Sequence, residues 1–495
     1  MSSLLLAAPV VVPALGALGY IAFGWRAATA WVGSVSAAVV LAASIATAAQ
    51  VVATGPRSAL AGILRADAVS AFMLIVIGAI ALIAALATPA HLRTEIAAGR
   101  ASRRTATRHS ALVQAFLAAM ALAVLAANLG VLWVAVEATT IVTAFLVGQR
   151  RTKDAVEAAW KYVVICSAGI ALALLGIVLL DFAAQHAGSG AGLDWAGLVA
   201  SAGGLDPAVT RFAVVLLIVG FGTKAGLAPL HAWLPDAHSQ APAPVSALMS
   251  GVLLSVAFYA VLRIKVIADV ALGPEFTRAL LVIAALASLV VAATLLLAQR
   301  DYKRMLAYSS IEHMGLLALG AAAGGPLAMA AVLLHILGHG LVKSVLFLGA
   351  GRILQVTGSS RISGVRGLIV RQPLLAGLVG VGVLALIGLP PFSVFASELG
   401  IARGGFTDGI GWAMAAGLVL VLVIAATLII HTSRMLLGSA PAPQGPGAAG
   451  APTRLPLFAA AAMTLGLAGA AALGISAGPL TELLQLAADI LAGAR

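Results

Sequence analysis

The chain has 495 residues, of which 62% are hydrophobic and 9% are charged, and its formal net charge is +12. A mean hydropathy of +1.10 excludes a soluble globular protein, because such a protein needs far more polar surface at this length. The single cysteine, Cys166, excludes an intrachain disulfide and a cysteine-based metal site.

Apolar stretches long enough to cross a hydrocarbon core recur along the whole chain and predict about fourteen transmembrane helices. The predicted spans cover residues 4–22, 31–52, 67–90, 111–127, 129–148, 156–182, 211–233, 242–268, 276–298, 303–323, 326–354, 372–402, 409–436 and 455–477. The first span follows Met1-Ser2-Ser3 without a basic region, so we expect a retained helix and not a signal peptide. Residues 478–495 mix leucines with acidic residues and predict an amphipathic surface helix.

The basic residues lie mainly in the loops on one side of this predicted bundle, where Lys303 and Arg304 are also expected. A smaller group falls on the opposite side: Arg57, Arg65, Arg211, Arg263, Lys265, Arg278, Arg403 and Arg495. The positive-inside rule then places both termini on the non-cytoplasmic side of a cell membrane. We therefore attribute the positive charge to membrane topology and not to nucleic-acid binding.

Two ionisable residues are predicted in the middle of spans, where a charged side chain costs at least about 2.5 kcal/mol. Glu137 lies in the fifth span and Lys224 in the seventh, each flanked by apolar or small residues. One interpretation is a structural ion pair that fixes helix packing. The other is a proton site, in which movement of the carboxylate relative to the lysine changes how firmly the lysine holds its proton.

Two spans are interrupted by proline, which removes a backbone hydrogen-bond donor from a helix. Pro229 and Pro235 flank His231 in the seventh span, and residues 388–392 of the twelfth span contain two prolines shortly before Glu398. Interrupted helices beside ionisable residues, one in each half of the chain, are typical of inverted-repeat transporters.

Between these interruptions, His335, His339 and Lys343 recur every four residues and are predicted to share one helix face. Two histidines at this spacing are compatible with zinc, but we favour a proton relay, because no third ligand accompanies them and the lysine would repel a cation. His313 adds a titratable group in the preceding span, and His238 is expected nearer the cytoplasmic end as a helix cap or part of an entrance. We predict no metal site and no cofactor.

Two stretches carry a family resemblance. Residues 224–242, KAGLAPLHAWLPDAHSQAP, and residues 301–311, DYKRMLAYSSI, closely resemble signatures of the antiporter-like membrane subunits of respiratory complex I, Mrp antiporters and membrane-bound hydrogenases. The stretches 128–137 and 157–162 are most similar to the hydrogenase-4 component F type. The resemblance spans the third to the thirteenth predicted helix.

This resemblance implies an all-α polytopic membrane fold of about fourteen helices, with two inverted repeats of about five helices each and discontinuous seventh and twelfth helices. It divides the chain into N-terminal helices with a basic loop (1–110), a first repeat (111–270), a second repeat (271–438) and a last helix with an amphipathic segment (439–495). Glu137, Lys224, the stripe His335 to Lys343 and Glu398 match the family's conduction positions.

The implied function is proton translocation in the membrane arm of a multi-subunit redox-driven complex, with other membrane subunits, peripheral redox or hydrogenase subunits and lipid as partners. One position departs from the family: Ser255 stands where relatives often carry a lysine or histidine in the eighth span. Two alternatives therefore stay open, a subunit of a sodium/proton antiporter or inorganic-carbon uptake system, and a non-conducting membrane scaffold. We expect no stand-alone catalysis, and we expect a location in the inner membrane.

Overall fold

The structure is a computed structural model, and it describes residues 2–188, 190, 192–439 and 454–493. Helices dominate these residues. In chain order they are α1 (Ser2–Phe23), α2 (Val32–Thr54), α3 (Ala68–Ala97), α4 (Arg103–Leu125), α5 (Leu129–Val147), α6 (Lys153–His186), α7 (Trp195–Ser201), α8 (Pro207–Ala225), α9 (Trp233–Gln240), α10 (Ala243–Leu248), α11 (Leu254–Leu272), α12 (Pro274–Leu297), α13 (Tyr302–Ala323), α14 (Pro326–Thr357), α15 (Leu368–Arg371), α16 (Pro373–Leu386), α17 (Ser393–Thr407), α18 (Gly411–Leu437), α19 (Leu457–Ile475) and α20 (Thr481–Leu491).

Twelve spans within these described residues are long and apolar enough to cross a membrane, which confirms the predicted all-α polytopic membrane fold. One of them, Ala243–Leu272, consists of α10, a π-helical turn (Met249–Leu253) and α11. The two other predicted spans correspond to α13, whose charged and hydroxyl side chains reduce its hydropathy, and to the pair α16 and α17. The count of fourteen spans stays a prediction.

Both predicted interruptions are present. Helix α8 ends at Gly226, whose φ of +80° is left-handed and favours glycine, and α9 begins after Pro229. The Ala228 N–H within this break donates to Ser288 Oγ of α12 (2.8 Å), which satisfies a backbone group freed from the helix. Pro235 lies inside the first turn of α9, where a proline sacrifices no helical hydrogen bond. The second break separates α16 from α17.

The centre of the bundle is formed by helices buried on nearly every side. The most apolar window of the span Ala243–Leu272 is 100% buried, and those of α14 and α3 are 94% and 83% buried, whereas that of α19 is only 28% buried. Helix α13 is buried along almost its whole length and contacts α12, α14 and α9. The ionisable residues of α13 and α14 therefore lie in the interior of the bundle.

A short antiparallel hairpin, β1 (Arg57–Ala59) and β2 (Leu64–Ala66), leads into α3. Asp67 caps α3 and also accepts a hydrogen bond from Arg263 Nη2 (2.6 Å), with both side chains only 2% exposed. Lys265 is likewise buried and pairs with Asp269. Arg263 and Lys265, which the sequence analysis counted on the side opposite the basic loops, thus lie on α11, and neighbouring carboxylates compensate their charges.

The predicted amphipathic segment contains α20, whose apolar face packs against α3 and α14. Leu483, Leu484 and Leu491 are buried, and Glu482 is exposed. Arg495, which the charge count included, lies outside the described residues.

Candidate functional site

Lys224 lies in the last turn of α8, beside the first helix break, and is fully buried. Its Nζ donates a hydrogen bond to Tyr162 Oη of α6 (2.6 Å) and lies 4.7 Å from the centre of the same ring. The ring of Trp233, the first residue of α9, meets Tyr162 edge-on at 5.0 Å. One hydroxyl and two aromatic rings thus surround this lysine where α6, α8 and α9 meet.

Glu137 of α5 is half-buried, and its Oε2 atom has no hydrogen-bond partner. It interacts electrostatically with Lys224, but the two side chains form no direct ion pair in the part of the chain that the structure describes. The hydrogen-bond partner of the lysine is Tyr162, which the sequence reasoning did not select. A buried tyrosine hydroxyl has no sequence pattern that would have distinguished it from an ordinary core aromatic.

Three histidines form a cluster between α13 and α14. His313 Nδ1 lies 3.0 Å from His335 Nε2, and the rings of His313 and His339 are 4.8 Å apart between centroids. All three are buried, and both ring nitrogens of His339 lack a hydrogen-bond partner. Within the described residues, no group of three or more His, Cys, Asp or Glu side chains is arranged to hold a metal ion.

Lys343 continues the stripe on α14 and is fully buried. Its Nζ donates to Ser309 Oγ (2.5 Å) and to the Leu306 carbonyl (2.7 Å), both on α13. Glu312, one turn beyond Ser309, is 4% exposed and interacts electrostatically with Lys343. The sequence reasoning missed Glu312 as a site residue, although a carboxylate in the middle of a predicted span was the signal that identified Glu137.

Glu398 lies on α17, and its carboxylate packs against the second helix break. A Cβ atom at Gly388 would lie 2.0 Å from Glu398 Oε2, so the carboxylate rests directly on this glycine. The neighbouring residue Ser397 bridges to the histidines, because its Oγ is 2.9 Å from His335 Nδ1. Glu398 also interacts electrostatically with Glu312. The structure thus brings His313, His335, His339, Lys343 and Glu398 into one region, as the helix pattern predicted for the stripe.

His238 and His231 lie on or beside α9, apart from that cluster. His238 is fully buried, stacks on the ring of Phe347 of α14 (5.0 Å between centroids) and has no partner for either ring nitrogen. It interacts electrostatically with Lys343 and with Lys303. His231 is only partly buried in the first break, and its Nδ1 has no hydrogen-bond partner. His238 is therefore placed between α9 and the stripe, whereas His231 is peripheral.

A charged cavity of about 300 Å³ opens beside α9 on the face that carries the basic loops. Asp236 of α9 pairs with Arg304 of α13 and with Lys161 of α6 (3.0 Å), and Lys161 also pairs with Glu157 (2.7 Å). We call these four residues the α9 mouth. Lys161 lies within the predicted span 156–182 and within α6, and its side chain is 46% exposed.

Lys303 lies behind the α9 mouth and not in the loop where the sequence placed it. It is 1% exposed, and its Nζ donates to the carbonyls of Ser239 (2.5 Å) and Ala241 (3.0 Å) at the end of α9. It was missed as a site residue because the start of α13 resembled a basic loop. The mouth, Lys303 and His238 together lead from the surface towards Lys343.

Ser255 is fully buried on α11, and its Oγ has no hydrogen-bond partner. A different serine connects this span to the stripe: Ser250 Oγ, on the π-helical turn, lies 2.8 Å from Ser310 Oγ of α13. Ser310 follows Ser309, which accepts the hydrogen bond from Lys343. The central span therefore presents hydroxyl groups to the charged residues around it.

Comparisons with known proteins agree with this architecture. The sequence profile described as NADH:quinone oxidoreductase/Mrp antiporter, TM, matches residues 126–424. The chain is 40% identical to a hydrogenase-4 component F homolog of Methylacidiphilum infernorum over 326 residues, which are 65% of this chain and 68% of that protein.

Among solved structures, a chain of the archaeal membrane-bound sulfane sulfur reductase matches with a TM-score of 0.84 and 25% identity, covering 99% of this chain and 97% of that one. A chain of respiratory complex I from Thermus thermophilus matches with a TM-score of 0.79 and 24% identity, covering 99% of both chains. These findings confirm the predicted resemblance to antiporter-like membrane subunits and to the hydrogenase-4 component F type.

Proposed function

Since the chain belongs to the NADH:quinone oxidoreductase/Mrp antiporter membrane family, we propose that it translocates protons in the membrane arm of a multi-subunit redox-driven complex. The complex is of the hydrogenase-4 or complex I type. Its partners are other membrane subunits, and peripheral redox or hydrogenase subunits supply the electron transfer. The chain itself contributes the proton path and no redox centre.

The observation that carries this proposal is the buried cluster formed by His313, His335, His339, Lys343 and Glu312. An ionised group inside a bilayer costs at least about 2.5 kcal/mol, so a purely structural role would favour complete pairing. Here both nitrogens of His339 and one carboxylate oxygen of Glu312 lack hydrogen-bond partners. Titratable groups with free positions are suited to accept and release protons through ordered water.

The proton route proposed for the second half of the chain begins at the α9 mouth. Protons pass Lys303 and His238, reach His339 and Lys343, and leave through His313, His335, Ser397 and Glu398. Two hydrogen-bond contacts support the last part of this route: His313 to His335 at 3.0 Å and His335 to Ser397 at 2.9 Å. The second helix break at Gly388 supplies unwound backbone beside Glu398, which is tolerated in a membrane only where protein or water surrounds it.

In the first half, Glu137, Tyr162 and Lys224 form the corresponding unit. The hydrogen bond from Lys224 to Tyr162 stabilises the charged lysine when Glu137 is not in contact with it. Movement of α5 that brings Glu137 closer would change the charge balance at Lys224, and this change is the switch that we propose. His231, in the adjacent break, is assigned a peripheral part in the same half.

The membrane orientation is also part of the proposal. The basic loops support an arrangement with both termini on the non-cytoplasmic side of the inner membrane. We assign residues 111–270 and 271–438 to the two inverted repeats, because each range contains one interrupted helix with an ionisable residue beside it.

The uncharged Ser255 favours one rival, a scaffold that holds the complex together without conducting. A serine hydroxyl does not take up a proton to become positively charged, whereas relatives often have a lysine or histidine at the corresponding position. The hydroxyl link from Ser250 to Ser310 supports conduction instead, because hydroxyl groups and ordered water relay protons without a charged side chain. The two functions predict different outcomes for single lysine substitutions.

The test is proton pumping by the assembled complex in inside-out membrane vesicles, measured per electron transferred. We expect Lys224→Ala and Lys343→Ala each to abolish most pumping, while Lys224→Arg retains part of it. Lys265→Ala is the matched control, because Lys265 is a buried lysine paired with Asp269 outside the proposed route. Full pumping by both alanine variants would exclude conduction through this subunit, and loss of assembly alone would support the scaffold. Dependence on sodium instead of pH would favour the antiporter alternative.

A further inference from the structure

A cleft of about 1000 Å³ lies between α4, α5 and α6, separate from the buried charged cluster. The beginning of α4, the end of α5 and the beginning of α6 form its mouth, so the mouth lies on one face of the bundle. Its lining contains no acidic residue, and five arginines line it: Arg100, Arg104, Arg108, Arg150 and Arg151. The cleft is therefore strongly positive.

Four of these arginines have no carboxylate at ion-pair distance within the described residues. Only Arg100 is paired, to Glu95 (2.9 Å). His109 also lines the cleft and is fully buried. Its Nδ1 lies 2.9 Å from Gln149 Oε1, and its Nε2 has no hydrogen-bond partner. A basic surface with so few neighbouring carboxylates attracts anions, and arginine guanidinium groups donate charge-assisted hydrogen bonds to them.

The chemistry of the cleft changes with depth. Its basic residues belong to the helix ends, whereas Leu112 lies one turn further into α4 than Arg108 and is apolar. Phe145, Trp160 and Val163 continue the apolar wall on α5 and α6, and the Trp160 side chain is 65% exposed. A charged mouth above an apolar wall, with tryptophan at the boundary, matches the profile of a lipid molecule at a membrane interface.

We propose that this cleft is a binding site for one anionic phospholipid. The arginines at the helix ends hold its phosphate, and an acyl chain lies along the wall of Leu112, Phe145 and Val163. Basic pockets between transmembrane helices on the cytoplasmic side bind anionic headgroups in this way. A soluble phosphate would contact only the arginines at the mouth and would leave the apolar wall exposed. A phospholipid would contact both parts of the cleft, so we favour the lipid.

The test is native mass spectrometry of the full-length chain in detergent, titrated with phosphatidylglycerol or phosphatidylcholine of the same acyl chains. We expect one phosphatidylglycerol to be retained in preference to phosphatidylcholine. Arg104→Gln with Arg108→Gln should lower this preference by roughly 30-fold, since each basic residue near a lipid surface contributes on the order of 1 kcal/mol and 1.4 kcal/mol corresponds to a factor of ten. Arg150→Gln with Arg151→Gln, on a different element, should do the same.

The matched control is Arg93→Gln with Arg300→Gln, two exposed arginines outside the cleft, which should leave the preference unchanged. Equal loss in the control, or no loss in either cleft variant, would overturn the proposal. Glycerol phosphate that competes at the same concentration as the lipid would also overturn it, because the acyl chain would then contribute nothing. Reduced recovery of a neighbouring subunit with unchanged lipid binding would assign the cleft to a protein partner instead.

Discussion

The substitution Tyr162→Phe tests the Lys224 site by removing a single oxygen atom. The substitution removes the hydroxyl that accepts the 2.6 Å hydrogen bond from Lys224 Nζ. It keeps the ring that lies 4.7 Å from the same nitrogen, and it keeps the edge contact with Trp233. Packing and the cation–π contact are therefore preserved while the polar contact is lost.

The expected magnitude follows from the charge on the donor. A hydrogen bond to a charged group contributes about 1.5–3 kcal/mol, whereas a neutral one contributes about 1 kcal/mol. Since 1.4 kcal/mol corresponds to a factor of ten, Tyr162→Phe should disfavour the charged lysine by roughly 10- to 100-fold. Glu137 would then be the main remaining group that stabilises the charge, and we expect pumping to fall about tenfold or more by the same arithmetic.

The assay is vesicle acidification per electron transferred, recorded at several pH values for the assembled complex. Tyr20→Phe is the control, because its hydroxyl is also buried but its partners, the Gly33 N–H (3.0 Å) and Ser110, are neutral. Wild-type pumping by Tyr162→Phe, combined with loss of pumping in Lys224→Ala, would refute the role of the hydroxyl. A similar decrease in Tyr20→Phe would show that general packing, and not the lysine charge, was disturbed.

Three further substitutions probe other parts of the chain. Gly388→Ala should destabilise the protein by about 1–2 kcal/mol, because φ at this position is +71°, and thermal unfolding in detergent would measure this loss. It should also reduce pumping in the vesicle assay, because the new Cβ would displace the Glu398 carboxylate. Asp67→Asn should cost about 3–5 kcal/mol in the same unfolding measurement, since it leaves the buried Arg263 charge uncompensated, and an unchanged midpoint would contradict this pairing. Asp236→Asn should leave stability within about 1 kcal/mol, because the α9 mouth is partly exposed, yet it should change the rate of proton uptake measured after a pH jump.

The parts of the fold that depend on local sequence were predictable. Clustered prolines beside small residues predicted the two helix breaks, because a proline beyond the first turn of a helix removes a backbone donor. The spacing of His335, His339 and Lys343 predicted one face, since residues four apart lie above one another. Apolar length likewise predicted the all-α membrane architecture.

The parts that depend on helix rotation and packing were not predictable. The register between α5, α6 and α8 depends on packing and has no local sequence signal, so the contact of Lys224 with Tyr162, and not with Glu137, was not predictable. Glu312 joins the site only because α13 packs on α14 with that face inward. Lys303 was expected in a loop for a similar reason: hydropathy detects apolar length, whereas a buried cation held by carbonyls lengthens a helix without adding apolar residues.

The burial of the apolar part of the span Ala243–Leu272 has a consequence for how a neighbouring subunit can act on this protein. Its most apolar window is 100% buried and offers no surface for a partner to contact, so a mechanical signal must first displace one of the outer helices. Helices α5 and α6 are well placed for this, because much of their surface faces outward while they also carry Glu137 and Tyr162. In the proposed mechanism, displacement of these outer helices would move Glu137 and Tyr162 and so change the charge balance at Lys224.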